Sequence, residues 1–570
     1  MEKTNFGPMV DRLVARVRRN QRRLRVNADY DLVREHFDHY HFMFQAEELQ
    51  EDPEVDPIRV FLRAGADTRF NPEPNFSMRK YLERYPEKRN GPERSPYLEW
   101  LKRGRAAGEI ADPSDGVEPI AEVLGLSPQV VVDEVVRTRE DMLERLRYGK
   151  LGEMFAKAVE LDPVIGASWA ETVARTKQLP LRNESVTRAV AALHRAHQAA
   201  DFRTARLVIV TNKPRWGGGR RMEGHLAHAL AGTIDPSEIV VIYTDEGGSA
   251  PPGRFPDGVR EVDLASLLDG IARSVQEETL IALLRSFRAD SILNINSRLF
   301  YWAMKPFGKA LVASERVFLC FFCDEQQAMG NWEGRGLRWF YPAFDDVAGI
   351  VTDSDYQRNQ LAERYQVSEE GRRRIHVFKA PAEPEIPVTP VADADPDRRR
   401  VVFWAGRFDR QKRPDLALEV ARRMPDVDFR LWGEKVLKGD PLGEIPPNVT
   451  LEGRYARFAD LDLSAADAWL YTSAWDGVPS LLMEVAMTGL PIVASLVGGV
   501  GEVISHEDAW PVADVEEPEA YEKALREIFA DQAEARRRSG ALRERLIRER
   551  TQETYGAYAA DVLLTAKEAP

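Results

Sequence analysis

The sequence has 570 residues, of which 44% are hydrophobic, and its formal net charge is −13. A chain of this length exceeds one hydrophobic core, so we expect roughly three or four domains. The acidic balance excludes a general nucleic-acid binder, because phosphate backbones select for an excess of Lys and Arg. No run of about 18 apolar residues occurs, and the N-terminus opens on charged and polar residues, so we expect a cytoplasmic protein without a membrane span.

Residues 1–36 are predicted to form a basic N-terminal arm. Within it, residues 11–26 hold seven arginines and one acid, with apolar residues near helical spacing. This pattern is typical of a helix that rests on an anionic membrane surface. A solvated arm, or a helix docked on the same protein, explains it equally well.

Residues 37–115 contain a two-copy repeat at an offset of 39 residues. Pro57 matches Pro96, and Gly65 matches Gly104. Each copy is predicted to be a helix that begins at proline and is closed by glycine. Two copies are fewer than a solenoid needs, so we expect them to pack on something else.

Residues 116–200 are helical in pattern throughout, without a strand signal. Ser127 followed by Pro128 predicts a cap and a first turn for a helix that ends near Tyr148. We expect a helical module without chemistry of its own.

Residues 201–385 change character, because short β-branched runs alternate with helical stretches. The predicted strands are 206–210, 239–243, 291–296, 317–322 and 348–352. Such alternation indicates parallel βαβ units with right-handed crossovers, which is a Rossmann-like domain.

The two cysteines, Cys320 and Cys323, lie in the run RVFLCFFC. In a strand, residues three apart point to opposite faces, which disfavours a shared metal or a redox dithiol. We interpret them as small apolar residues of a reducing compartment.

A proline-rich linker at 380–397 precedes a second βα pattern, so that 386–570 is predicted to be a second Rossmann-like domain with closing helices. Its predicted strands are 400–406, 428–434, 448–453, 467–473 and 491–495. The fold class is therefore α/β, with two such domains facing a cleft after a mainly helical N-terminal region. Ligands bind at the carboxyl ends of such sheets.

The first motif at such an end is WAGRFDRQKRPD, in which a strand ends at Gly406 and Arg407 and Lys412 follow before a Pro-started helix. A loop with Arg and Lys beside a helix N-terminus suits a diphosphate. A solvated pair of surface cations is the alternative.

The second motif places Asp476 in a loop and Glu484 on the helix that follows, so that both carboxylates can face a ligand at the helix N-terminus. Ser480 is predicted to cap that helix. The third motif, GGVGEVI, offers Gly498 and Gly499 for close approach of backbone amides to phosphate or sugar.

Together these motifs resemble glycosyltransferase family 4, whose members have the GT-B fold. The resemblance covers about 398–513 closely and the first domain loosely. It implies that Arg407 and Lys412 bind the donor diphosphate and that Glu484 binds the nucleotide ribose. Asp476 stands where the family has glutamate near the donor sugar, which leaves the identity of the sugar open. Gly498, Gly499 and Glu502 match the family's GGxxE.

In the first domain, the resemblance implies a glycine-rich loop that touches donor phosphate or acceptor. Gly217, Gly218, Gly219 and Arg220 match it. The family's sugar-side histidine is absent, so Asp324 or Glu325 replaces it or the role is lost. His225 and His228, at i and i+3, are interpreted as helix-surface or packing residues. The 37–115 repeat resembles repeats fused to bacterial polysaccharide glycosyltransferases.

The tripeptide Asp353–Asp355 has the form of a DxD metal motif, but its position before a helix favours a helix cap. The resemblance implies a retaining transfer without a metal or other cofactor, from a nucleotide-diphosphate sugar to a glycan or lipid-linked acceptor. Two alternatives stay open: a catalytically degenerate scaffold, motivated by Asp476 and the missing histidine, and a sugar-nucleotide epimerase.

Overall fold

The structure is a computed structural model that describes residues 28–43, 45, 54–65, 67, 69–93, 95–112, 116–175, 184–214, 221–389, 398–434 and 442–564. It divides into two compact units, Met1–His194 and Arg195–Pro570. The arginine-rich stretch 11–26 lies outside the described residues, so its contact with a membrane stays a prediction. Within the described ranges, no helix is both long enough and apolar enough to cross a bilayer.

All regular secondary structure in the described part of the first unit is helical. Its helices are α1 (Ala28–His36), α2 (His39–Met43), α3 (Pro57–Ala64), α4 (Met78–Arg84), α5 (Pro96–Glu99), α6 (Val117–Leu124), α7 (Pro128–Tyr148), α8 (Lys150–Leu161), α9 (Pro163–Arg175) and α10 (Glu184–Ala199), the last of which continues into the second unit. The helix predicted to begin at Pro128 is confirmed. Ser127, however, makes no capping hydrogen bond through its side chain.

The two repeat segments start alike and end differently. Pro57 and Pro96 each begin a helix after a residue whose side chain accepts a backbone N–H. Gly65 has φ 65° after α3, as expected for a glycine that ends a helix. Gly104 instead lies inside a π-helical turn, Trp100–Gly104. The family resemblance of the repeat stays a prediction.

The second unit begins with a lobe built on a seven-stranded parallel sheet of order β3-β2-β1-β4-β5-β8-β9. These strands are β1 (Leu207–Thr211), β2 (Ile239–Tyr243), β3 (Arg260–Asp263), β4 (Ser291–Ile295), β5 (Val317–Cys320), β8 (Gly349–Thr352) and β9 (Ile375–Val377). The helices are α11 (Met222–Leu230), α12 (Leu264–Leu267), α13 (Arg273–Ser286), α14 (Arg298–Val312), α15 (Arg335–Ala343), α16 (Asp355–Arg364) and α17 (Glu369–Arg372). A short antiparallel pair, β6 (Glu325–Gln326) and β7 (Trp332–Glu333), follows β5.

The second lobe is built on a six-stranded parallel sheet of order β12-β11-β10-β13-β14-β15. Its strands are β10 (Arg400–Ala405), β11 (Val427–Trp432), β12 (Val449–Gly453), β13 (Ala468–Tyr471), β14 (Ile492–Ser495) and β15 (Trp510–Val512). Its helices are α18 (Pro414–Arg423), α19 (Ser480–Thr488), α20 (Pro518–Ala530) and α21 (Gln532–Glu549). The predicted α/β class with two Rossmann-like domains, the GT-B fold, is confirmed.

The last helix, α22 (Gln552–Leu563), returns to the first lobe. Tyr555, Ala559 and Val562 belong to the same buried cluster as Leu226 of α11. Gly556 lets the two helices approach, because a Cβ there would lie 2.7 Å from the carbonyl oxygen of Ala229. The segment predicted as the second lobe, 386–570, therefore does not hold its last helix in its own core.

Candidate active site

Three loops meet where adjacent strands of the second lobe end. β10 pairs with β13, and β13 pairs with β14, all in parallel, so the loops that follow them lie side by side. These loops carry Lys412, Asp476 and Gly498. The three sequence motifs are thus brought to one edge of the sheet.

Lys412 and Asp476 form an ion pair at this edge. Lys412 Nζ donates to Asp476 Oδ2, and Tyr471 Oη donates to the same oxygen. The backbone N–H of Gly477 donates to Asp476 Oδ1 at 3.0 Å. The two charged side chains are only 18% and 13% exposed, so each stabilises the other with little solvent between them. Three donors therefore fix the carboxylate, although aspartate is shorter than the family's glutamate.

Tyr471 was missed by the sequence analysis. It is 2% exposed, and its burial, together with the charge of Asp476, raises its pKa well above the ordinary value. The phenol consequently stays protonated and acts as a hydrogen-bond donor to Asp476. No local signal distinguishes it, because the strand DAWLYTS is apolar enough to be read as core.

The loop that carries Lys412 is held by its neighbours on both sides. Trp404 Nε1 donates to Thr472 Oγ1 at 2.9 Å, and Thr472 Oγ1 donates to the carbonyl oxygen of Lys412 at 2.8 Å. A Cβ at Gly406 would lie 3.2 Å from Lys412 Cγ. Gly406 therefore leaves room for the aliphatic stem of Lys412.

Arg407 lies in the same loop but is 51% exposed. Its guanidinium contacts Asp409 at 3.1 Å and donates to Gln411 Oε1 at 2.5 Å. Gln411 Nε2 in turn donates to the carbonyl oxygen of Trp475 at 3.1 Å. Gln411, which the sequence analysis also missed, thus links Arg407 to the residue before Asp476.

Gly498 and Gly499 pack against the Asp476 loop. Gly498 has φ 52°, and a Cβ there would lie 1.8 Å from the carbonyl oxygen of Asp476. A Cβ at Gly499 would lie 3.0 Å from the carbonyl oxygen of Gly477. The close approach that these glycines permit is between two protein loops, whereas the sequence analysis attributed it to a ligand.

Glu502 joins the two lobes. Its Oε1 accepts the backbone N–H of Tyr356, in the first turn of α16, at 2.8 Å. Its Oε2 lies 3.5 Å from Lys379 Nζ, a residue of the first lobe. The carboxylate at an N-terminal helix turn is a favourable arrangement, so Glu502 has an interlobe role in addition to any contact with donor.

Glu484 lies on α19 and faces a different space. It is 5% exposed and borders two cavities between the lobes, of about 190 and 710 Å³. Tyr455 lies nearby, and burial first and the charge of Glu484 second raise its pKa to about 12. Ser480, predicted as the cap of α19, is instead its first residue, because Pro479 takes the cap position.

Arg407, Lys412 and Asp476 border neither of these two cavities. Val478 and Ser480, which lie two and four positions after Asp476 in the sequence, line the smaller cavity. The side chains of Lys412 and Asp476 are already in contact with one another and are mostly buried. Any ligand of the Lys412 ammonium therefore competes with the Asp476 carboxylate.

On the first lobe, the glycine-rich loop Gly217, Gly218, Gly219 and Arg220 lies outside the described residues. Arg221, which follows it, borders the smaller cavity. His225 borders the same cavity, is 5% exposed and lies 3.5 Å from Glu383. Of the two interpretations of His225, helix surface or packing, the burial of its side chain agrees with packing.

Asp324 and Glu325, the two acids proposed in place of the histidine of the resembled family, have different surroundings. Asp324 Oδ2 accepts from Arg364 at 3.0 Å within the first lobe, and burial raises the pKa of this carboxyl. Glu325 is exposed in β6. Asp324 is thus engaged by its own lobe instead of standing open to a sugar.

The two cysteines are free thiols. Cys320 is buried in the core of the first lobe. Cys323 lies past the end of β5, where burial first and Asp476 second raise its pKa to about 12. Among the described residues, no group of three or more His, Cys, Asp or Glu side chains is arranged to hold a metal.

The cap interpretation of Asp353–Asp355 is confirmed, with Ser354 as the capping residue. Ser354 Oγ accepts the backbone N–H of Gln357 at 3.2 Å. Asp353 also makes a contact that the tripeptide motif does not predict, because its Oδ2 accepts the backbone N–H of Val478 at 3.3 Å. This hydrogen bond joins the carboxyl end of β8 to the loop after β13, so the carboxyl ends of the two sheets face each other.

Part of the second lobe matches a known family model. Residues 390–546 match the family model described as Glycosyl transferases group 1. The matched segment is most of the second lobe, and it contains Lys412 and Asp476.

Individual proteins match this chain over a short stretch or with low sequence identity. A stretch of 105 residues is 30% identical to a glycogen synthase of Mycobacterium tuberculosis, covering 18% of this chain and 25% of that protein. The match thus spans about a quarter of the length of these curated relatives. The chain is also similar to the solved structure of sucrose-phosphate synthase from Thermosynechococcus elongatus, with 18% identity, a TM-score of 0.47 and coverage of 63% of this chain and 98% of that one. A glycosyltransferase from Rickettsia africae gives 13% identity, a TM-score of 0.49, and 64% and 100% coverage.

Proposed function

We propose that this protein is a retaining glycosyltransferase of family 4 that uses a nucleotide-diphosphate sugar as donor. The observation that carries the proposal is the Lys412–Asp476 pair at the carboxyl edge of the second sheet. It lies inside the segment that matches the group 1 glycosyl transferase model. One contact thus joins a cation suited to a diphosphate and a carboxylate suited to sugar hydroxyls.

The donor lies across the edge of the second lobe in this proposal. Lys412 and Arg407 bind the diphosphate, and Arg407 is accessible because half of its side chain is exposed. Glu484 binds the ribose, since its helix borders the interlobe cavities. Gly498 and Gly499 hold the Asp476 loop against the sugar.

The chemistry follows from charge that develops on the leaving diphosphate. Lys412 and Arg407 place fixed positive charge beside the phosphate oxygens that gain negative charge as the bond between the anomeric carbon and the diphosphate oxygen breaks. The acceptor oxygen forms its bond to the anomeric carbon on the face that the diphosphate leaves, so the configuration is retained. An oxygen of the departing diphosphate takes the proton of the acceptor hydroxyl. These two cations supply the charge that a metal provides in other transferases, so the proposed reaction needs no metal.

The acceptor is proposed to be a glycan or lipid-linked glycan of a bacterial surface polysaccharide. The support is the resemblance of the 37–115 repeat to repeats fused to such enzymes. Nucleotide sugars are made in the cytoplasm, and the basic 11–26 stretch is suited to the anionic inner face of the membrane. We therefore propose a cytoplasmic protein that works at that surface.

A donor screen tests the proposal. Purified protein is incubated with UDP-, GDP- and ADP-sugars, and nucleoside diphosphate release, thermal stability and product configuration are measured. We expect one donor class to raise the stability by about 2.7 kcal/mol at 100 times its Kd. We also expect nucleoside diphosphate release with retained configuration at the sugar.

Two outcomes contradict the transferase. An epimerised nucleotide sugar formed without acceptor identifies an epimerase. Absence of stabilisation and of release with every donor favours the non-catalytic scaffold. In the double variant Arg407→Ala, Lys412→Ala, the donor effect on stability is expected to disappear, and an unchanged effect contradicts the diphosphate assignment.

A further inference from the structure

Asp353 is a charged residue that the proposed chemistry does not use. It follows β8 and lines the smaller interlobe cavity. Its own lobe supplies one hydrogen bond, from Ser354 Oγ to Oδ1 at 3.1 Å. The second oxygen, Oδ2, accepts from Val478 of the other lobe.

The other lobe is shaped to receive this carboxylate. A Cβ at Gly477 would lie 2.6 Å from Asp353 Oδ2, so a glycine is needed for the approach. The backbone N–H of Gly477 donates to Asp476, and that of Val478 donates to Asp353. Two successive amides of one turn thus bind two carboxylates, one from each lobe.

This arrangement makes the Asp476 loop depend on the first lobe. Asp476 is held to Lys412 by its side chain, and the residues that follow it are held by Asp353. Enclosing an ionised carboxylate between lobes is costly unless hydrogen bonds compensate. A neutral residue would fill the same space at lower cost.

We propose, on the basis of the glycosyltransferase function above, that Asp353 is a positioning residue. From the first lobe, its carboxylate holds the 476–478 turn so that Asp476 is aligned with Lys412 when the lobes are together. Separation of the lobes breaks this hydrogen bond and releases the turn. The site is therefore complete only when both lobes contribute to it.

The titration of Asp353 supports this role. Burial, as the largest cause, raises its pKa from 3.8 to about 6. The titratable and charged groups around it come from several elements. Asp476 lies in the loop after β13, Cys320 and Cys323 lie in β5 and the loop after it, and Arg550 lies in the α21–α22 connection. The cavity that Asp353 lines is also lined by Arg221, Glu223, His225, Glu383 and Glu484. Asp476 adds repulsion and Arg550 adds attraction.

The sign of the pH dependence follows from this pKa. Above pH 6 the carboxylate is ionised and is the stronger acceptor for Val478 N–H, so turnover is expected to fall as the pH drops through 6. Stability changes in the opposite direction. Because the folded pKa exceeds the unfolded one, the folded chain binds the proton more tightly, and stability is lost as the pH rises from 4 through about 6.

The test compares Asp353→Ala and Asp353→Asn with a matched pair at Asp245. Asp245 also lies in a loop that follows a strand of the first lobe, two residues after β2, and its side chain is 6% exposed. It accepts backbone N–H groups of Arg298 and Leu299 within that lobe. Its variants therefore reproduce the loss of a buried carboxylate without the contact between lobes.

We expect Asp353→Ala to lower kcat about 100-fold, the cost of a misplaced reacting group. Calorimetry with UDP and GDP is expected to give nearly unchanged nucleotide affinity. Asp353→Asn keeps an oxygen acceptor, so it should recover most of the turnover and lose the fall in turnover near pH 6. The Asp245 variants should keep that fall.

Wild-type kcat in Asp353→Ala, or an acid limb near pH 6 that persists in Asp353→Asn, overturns the proposal. Hydrogen exchange at the Val478 amide tests it without activity. Exchange should accelerate in Asp353→Ala and stay unchanged in Asp245→Ala, and equal exchange in both also overturns it. If no donor is turned over by the wild type, the proposed function fails while this exchange measurement still decides the positioning role.

Discussion

Replacement of Lys412 by alanine is expected to lower kcat by about 10²- to 10³-fold, the loss typical of removing one preorganised electrostatic stabiliser. The Lys412 side chain is 18% exposed and its ammonium already contacts the Asp476 carboxylate, so water replaces its charge poorly. Asp476 keeps the Tyr471 and Gly477 donors, and the loop therefore remains in place. The measurement is steady-state release of nucleoside diphosphate from the donor found in the screen.

Arg410→Ala is the matched control for this variant. Arg410 lies in the same loop, two residues before Lys412, but it is exposed. Its removal changes the net charge equally and should leave kcat within a few-fold of the wild type. Equal losses in the two variants would mean that the loop acts through its overall charge and that Lys412 has no special position.

Gly498→Ala is expected to reduce turnover about 100-fold or more, because it moves the loop that carries Asp476. A methyl group there meets the Asp476 carbonyl oxygen at 1.8 Å, and the backbone has φ 52°, a region that alanine avoids. The atoms nearest to this methyl group are backbone atoms of Asp476, so no flexible side chain can move aside to make room. The variant should also melt at a lower temperature without any ligand.

Gly501→Ala provides the control within the same segment. Gly501 is exposed, and a Cβ there meets only the end of the Leu496 side chain, at 3.3 Å. Its turnover and melting temperature should resemble the wild type. A Gly498→Ala protein with normal kinetics would show that the two loops are not packed as described.

The parallel sheets were predictable because their central strands are covered on both faces. β1, β2 and β4 are completely buried and read as short apolar runs. The strands of the two parallel sheets that the sequence analysis missed are β3, β9 and β15. β3 alternates buried and partly exposed residues in REVD, and β9 and β15 have three residues each, which is too short for a periodic signal.

The candidate site was predictable where its chemistry follows a strand directly. Lys412, Asp476 and Gly498 each stand in a loop at a strand end, and the parallel order of the sheet brings such loops together. Contacts between segments that are far apart in the sequence leave no local pattern from which they could be predicted. Asp353 and Val478 are separated by 125 positions, and only the folded chain joins them.

Local rules also failed where a neighbouring residue competed for the same position. Ser480 has a capping side chain, but Pro479 before it takes the cap and makes Ser480 the first helical residue. His225 could be a helix-surface or a packing residue from its spacing alone, and only the fold shows that it is buried and lines a cavity. Both differences arise from backbone and tertiary constraints that residue type alone does not encode.

Aspartate at 476, where the resembled family has glutamate, has a physical explanation in this structure. The shorter side chain contacts Lys412 Nζ and Tyr471 Oη while its second oxygen accepts from Gly477. A longer side chain in the same backbone would extend past these donors. The substitution therefore does not by itself indicate a degenerate site.

The most direct measurement is a crystal structure of the protein with UDP or GDP bound. The account predicts that the diphosphate lies at the carboxyl edge of the second sheet, with its oxygens within hydrogen-bonding distance of Lys412 Nζ and the Arg407 guanidinium. Lys412 would then have exchanged part of its contact with Asp476 for phosphate. A nucleotide bound elsewhere, with both cations still in their present contacts to Asp476, Tyr471, Asp409 and Gln411, would contradict it.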